Sequence, residues 1–364
     1  MTRSTNPKPP APYFVSGIFD FAFVGGISMA CFAVIGLWGP NGYSVAAMNL
    51  SIYLMWIINW PHFSATIYRL FRSKENVAQY PMTAYVIPFL LLAFALGAFL
   101  SPTLIARYFV KLFLIWSPYH FSGQSVGISL IYARRHSVRI DKWPRLALAT
   151  FIFGTYVSST LASETSITGT SYFGIDTPGL GVPAWMPGVA QWIMYLGGVA
   201  FILFAVDWSR KNHRFFPLIV LMPALTQYVW FLAGAGYQAF AVFVPMFHSL
   251  QYLPIAWAME LGEGETENKA SQPLNRVRNQ TLVWAGANLM GGVLLFYVLP
   301  RIVQFGGMDF DFVCGVTLAA VQIHHFFVDG VIWKLRNPGV SSPLMANIRD
   351  YLDRPLAFPS KAAA

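Results

Sequence analysis

Charge is scarce in this chain, and cysteine scarcer still. Asp, Glu, Lys and Arg make up 11% of the 364 residues while hydrophobic types reach 56%, a balance that the water-facing surface of a soluble domain this size does not tolerate. Cys31 and Cys314 each lie inside an apolar run, so no disulfide framework and no thiolate metal site is expected. Neither a Gly-rich phosphate loop nor a nucleophile elbow occurs, which argues against ATP-driven work and serine hydrolysis. The first dozen residues are polar and Pro-rich, with no short apolar core ahead of a small-residue cleavage site. The first apolar run is therefore expected to remain as a signal anchor.

What the chain has instead is apolar length. Runs near twenty residues, enough for a helix to cross roughly 30 Å of hydrocarbon, recur about ten times. The expected fold is all-α, one polytopic membrane bundle of about ten transmembrane helices over residues 12–37, 46–71, 82–100, 103–133, 145–161, 186–207, 215–232, 238–260, 280–300 and 311–334. A single domain, 1–364, then comprises the bundle, an N-terminal segment 1–11, a loop 162–187 on the opposite side, and a tail 335–364. Of the 24 Lys and Arg, all but Arg107, Lys111 and Arg301 fall in the terminal segments or links that share one side. By the positive-inside rule both termini are expected to be cytoplasmic, in a bacterial inner membrane, and the +9 charge reflects topology rather than nucleic-acid binding. The loop 162–187, rich in Ser, Thr, Gly and Pro, reads as a solvated connection or, less simply, a lid. In the tail, Ser342 can cap a short helix with Pro343 at its first position, and Leu344, Ile348 and Leu352 would face the bilayer surface.

Four of the expected spans carry histidines: His62, His120, His248 and the pair His324 and His325. Nine to fourteen residues separate them from charged markers of the cytoplasmic boundary, Arg72, Arg134, Glu260 and Lys334 respectively, which places all of them roughly 14 to 21 Å from that boundary at 1.5 Å per residue. The four spans run in one direction. A single histidine in hydrocarbon is most simply a satisfied interhelical hydrogen bond, but five at one depth point to a built site. Pro61, Pro118 and Pro245 precede the histidines closely and would bend their helices at that level.

One turn beyond the histidines come groups able to orient an imidazole: Thr66, Gln124, Tyr252 and Asp329. Asp329 is the strongest of these, its alternative being a salt bridge at the cytoplasmic rim. Asp20, Asn59 and Gln227 either join the network or bond backbones across helices. Arg107 and Lys111 snorkel to headgroups or read an anionic substrate end. His136 and His213 lie in charged links and are expected to be solvated. Aromatic side chains crowd the histidines in sequence, Trp60, Trp116, Tyr119 and Phe121 among them, a setting suited to an apolar substrate.

The stretch His324-His325-Phe326-Phe327-Val328-Asp329-Gly330-Val331-Ile332-Trp333-Lys334-Leu335-Arg336, with Tyr119-His120-Phe121-Ser122-Gly123-Gln124, resembles segments of uncharacterised multi-pass bacterial membrane proteins. In general design the chain is also similar to the Brp/Blh carotene-cleaving dioxygenases, polytopic proteins that hold iron through intramembrane histidines. That family's early His-Gly motif has no counterpart here, nor do the His-x-x-His-His boxes of fatty-acid hydroxylases and desaturases. The resemblance implies iron chemistry and no particular reaction.

The sequence thus leads to a membrane oxidoreductase in which His62, His120, His248, His324 and His325 supply metal ligands, His324 either ligating or hydrogen-bonding. Asp329, Gln124 and Tyr119 are the expected catalytic side chains. An imidazole set without thiolate suits Fe first, then Zn or Cu. The substrate would be a lipid, quinone or carotenoid-like molecule, with membrane lipids around it and an external electron donor. A haem-binding electron carrier, or a proton-coupled or metal-ion transporter, are the alternatives.

Overall fold

The computed structural model describes residues 11–38, 44–267, 273–304, 307–333, 343–345 and 347–348. It is 82% helical with almost no strand. Among the described residues the main helices are α1 (Gly17–Leu37), α2 (44–71), α3 (Met82–Leu100), α4 (102–135), α5 (Lys142–Ser163), α6 (Met186–Asn212), α7 (Leu218–Ala233), α8 (Gln238–Gly262), α9 (Leu274–Val303) and α10 (Phe310–Ile332). Each expected run is thus helical, but only seven of the helices are both long and apolar enough to cross a membrane. The count of ten crossings goes beyond that number, for two reasons. α7 falls short in length, while α2 and α4 give up apolar positions to buried polar groups: Asn59, His62, Ser64 and Thr66 on one, His120, Ser122 and Ser125 on the other.

Proline shapes several of these helices. Wide π-helical turns at Met55–Asn59, Met82–Val86 and Leu294–Val298 are each followed within two residues by proline, Pro61, Pro88 and Pro300. A proline has no amide to donate four residues back, so the ladder widens where that carbonyl is released. Only one of the three histidine-linked prolines acts in this way. Pro118 sits inside the helix Arg107–Arg135, and Pro245 opens the main part of α8 just after Val244, so neither follows a π-helical turn.

α8 and α10 form the centre, with 67% of their apolar windows buried against 22–33% in the other five. α10 packs on α2 and α4, and α2 packs on α8. At the periphery α5 and α6 pair closely through small residues. A side-chain carbon at Gly197 would stand 2.9 Å from both the Ala147 carbonyl oxygen and Thr150. Gly197→Leu should therefore overpack this seam and cost about 1–3 kcal/mol. A thermal midpoint no lower than that of Gly188→Ala, where nothing lies within 4 Å, would show that the seam is loose.

Three expectations fail because packing partners were invisible in the sequence. Within the loop 162–187, Ser171–Tyr172 (β1) and Ile175–Asp176 (β2) pair antiparallel, Ser171 opposite Asp176 and Tyr172 opposite Ile175. Ile175 is buried in one cluster with Phe113 and Val316, so the loop is packed over the N-terminal parts of α4 and α10 rather than simply solvated. Lys111 does not snorkel: it is buried and ion-paired with buried Glu164. In the tail, Leu344 is fully buried beside Phe14 and Tyr132, and Ile348 N–H donates to the Phe14 carbonyl at 2.9 Å. Those side chains turn into the protein, not toward a bilayer surface; Ser342 and Leu352 lie outside the described residues. His213 is exposed as expected, whereas His136 is half-buried beside Tyr13. Burial first, then Arg135 and Arg214, hold its imidazole below the ordinary histidine range.

Candidate metal centre

His62 on α2, His120 on α4, His248 on α8 and His325 on α10 meet in the interior. One ring nitrogen from each lies within 4.8 Å of the corresponding atoms of all the others. The rings form a closed square, met edge to face, with centroids 4.5 Å apart for His62 and His325, 4.8 Å for His325 and His120, 5.1 Å for His120 and His248, and 4.9 Å for His248 and His62. All four are buried. Two imidazole nitrogens sharing one ion at about 2.0–2.1 Å stand roughly 3.0–3.4 Å apart when adjacent in its coordination sphere. The Nε2 atoms of His120 and His325 are 3.1 Å apart. A pair at the 4.8 Å limit would have to close by about 0.7 Å per ring, which small side-chain torsions supply.

Both ring nitrogens of His62, both of His248, and Nδ1 of His325 are buried without a hydrogen-bond partner. An unsatisfied buried polar group costs about 1–3 kcal/mol, so three such rings facing one point make a well-suited ligand set. With four imidazoles, one carboxylate nearby and no thiolate, the donors fit Fe, Zn or Cu.

No protein-family model, curated protein or solved structure matches the chain. Its chemistry is therefore read from the side chains alone.

Asp329, one turn after His325 on α10, brings Oδ2 to 3.5 Å from Nε2 of both His120 and His325. Its other oxygen is fixed by Trp333 Nε1 at 3.0 Å and by the Thr66 hydroxyl at 3.1 Å, and Thr66 in turn accepts from Tyr252 at 2.7 Å. Tyr252 also lies edge-on to the His62 ring, centroids 4.3 Å apart. Thr66 and Tyr252 were expected to steady the histidine on their own helix; both act across helices. Trp333 went unnoticed as a site residue, although its place four after Asp329 was the available signal. Gln124 likewise bonds across, its Nε2 donating to the main-chain carbonyl of His248 at 2.9 Å, so it ties α4 to α8 rather than aiming the His120 ring.

The remaining candidates stand outside the square. His324 donates from Nε2 to the Thr83 carbonyl at 3.1 Å, taking the hydrogen-bonding alternative. Asp20 accepts from the amides of Phe14 and Val15 and from the Tyr132 hydroxyl, while Asn59 accepts from Ser249 and Gln227 donates to Ser125. Those are bonds that join the chain's elements. Tyr119, half exposed, packs on Phe153 and Tyr156. It lines a cavity of about 700 Å³ that opens beside His120, Gln124, Tyr252 and Asp329.

Proposed function

We propose that this chain is an oxidoreductase of the bacterial inner membrane in which His62, His120, His248 and His325 hold a metal ion, iron by preference, next to a site for an apolar substrate. In this reading all ten helices cross, with both termini cytoplasmic. The four histidine helices are all even-numbered, so they then run the same way. The observation that carries the proposal is the convergence of four buried imidazoles from separate helices, three of them with unpartnered ring nitrogens. Rings in mutual contact leave no room for a macrocycle between two axial ligands, which favours a bare ion over haem.

An ion held there would supply one-electron redox chemistry and Lewis acidity. The chain's own groups do the rest. Asp329 Oδ2 can take up or return a proton at the edge of the centre, and Thr66 and Tyr252 provide a hydroxyl chain for its movement. Tyr119, Trp116 and Phe326 wall the cavity with apolar surface that receives a lipid, quinone or carotenoid-like molecule and keeps water away. Electrons would come from a separate donor.

Elemental analysis and an optical spectrum of the purified full-length protein test this. About one iron per chain without a Soret band is the expected result. Protein that neither carries metal nor takes up Fe(II) under anaerobic loading, or protein with an intense Soret band, would overturn it.

A further inference from the structure

The cavity beside the centre has a direction. On α4 the residues facing it, His120, Gly123, Gln124, Gly127 and Ile131, recur every three or four positions and form one stripe from the metal centre toward the far end of the helix. That stripe is ~16 Å long at 1.5 Å per residue. Gly123 and Gly127 on α4 and Gly330 on α10 all line the cavity, and a side-chain carbon at any of them would meet nothing within 4 Å. Each costs its helix about 0.8–1.0 kcal/mol relative to alanine. No close helix contact requires them, so what they produce is clearance along the trough. Ile128, Ile131 and Ile255 make its sides apolar.

The end of the trough remote from the histidines is different in kind. Arg145, on the first turns of α5, lines it there and is exposed. The neighbouring charges are engaged, Arg139 with Asp141 and Lys142 over Trp143. Among the described residues no carboxylate pairs with Arg145. An apolar channel with a reactive centre at one end and a single guanidinium at the other fits an amphiphile of matching polarity.

We infer that the trough binds a long-chain fatty acid, carboxylate on Arg145 and alkyl chain along Gly127 and Gly123 toward His120. This deepens the proposed function and rests on it for the chemistry at the chain's far end. One guanidinium fork matches one carboxylate, and the apolar sides along Gly127 and Gly123 match an unbranched alkyl chain.

Binding of tritiated palmitate to the full-length protein in phosphatidylcholine nanodiscs, with and without iron, tests the assignment. Wild-type protein should show one saturable site. Arg145→Gln should weaken palmitate at least about tenfold while leaving displacement by hexadecanol unchanged. Gly127→Leu, whose side chain enters open space on a helix it favours, should abolish the site for both ligands. No saturable binding, binding that neither substitution alters, or lysophosphatidate displacing better than palmitate would overturn it. Palmitate binding that persists in protein unable to load iron keeps the trough and removes the metal reading; one iron per chain with no palmitate site does the reverse.

Discussion

His325→Ala should lower iron affinity more than about 100-fold, beyond the 10–100-fold typical when only a group supporting a ligand is lost. The neighbouring change, His324→Ala, should leave it within about threefold, because what it removes is one hydrogen bond worth about 0.5–1.5 kcal/mol to a main-chain carbonyl outside the cluster. The two positions are adjacent, equally apolar in surroundings and both histidine, so the pair of variants controls for everything except geometry. His325 touches His62 and His120 in the square and places Nε2 3.1 Å from its neighbour's, whereas His324 turns about 100° around the helix to Thr83. Competition with a coloured chelator in detergent, read as an iron dissociation constant for each variant, measures the contrast. Equal losses at both positions, or none at either, would mean that the square is not the binding site.

The same pair shows what a sequence can and cannot say about such a centre. Depth is legible, because 1.5 Å per residue converts a count from a charged marker into a level in the membrane. Two of those markers, Arg72 just after α2 and Glu260 on α8, pair with one another, which fixes His62 and His248 to one datum. Azimuth is not legible. Which of His324 and His325 faces inward depends on how α10 is rotated against α2 and α4, and that is decided by packing across helices. The orienting groups follow the same rule: Thr66, Gln124 and Tyr252 were identifiable as polar and near, yet their partners sit on other helices.

The fold divides in the same way. Long apolar runs announce helices whatever surrounds them, so the helical stretches were readable, with ends displaced by up to six residues, as at 280–300 against Leu274–Val303. An apolar residue in a loop or tail reads identically whether it meets lipid or protein. That ambiguity is why Leu344 and Ile348 suggested a bilayer anchor, and why Ile175 gave no sign that the loop between α5 and α6 is part of the core.

Lys111→Met should destabilise the protein by about 3–5 kcal/mol, the usual cost of leaving one member of a buried ion pair uncompensated. Glu164 would keep only the Leu180 amide, at 3.1 Å, in an environment where both partners are less than a tenth exposed. Removing the second charge as well, in Lys111→Met with Glu164→Leu, should return most of that loss, since a well-packed apolar pair avoids the desolvation of either ion. The effect should also be local in its first stage. Val182 N–H donates to the Glu164 carbonyl, so the pair anchors both ends of the loop, and the single variant should be cut by protease within 162–187 well before the bundle melts. His120 lies nine residues further along α4, ~13 Å away, so iron affinity in the folded single variant should change less than tenfold. A thermal midpoint unchanged by Lys111→Met would mean that the pair is solvated and contributes no more than an exposed salt bridge. A loss of iron equal to that of His325→Ala would mean that the loop is instead part of the centre's support.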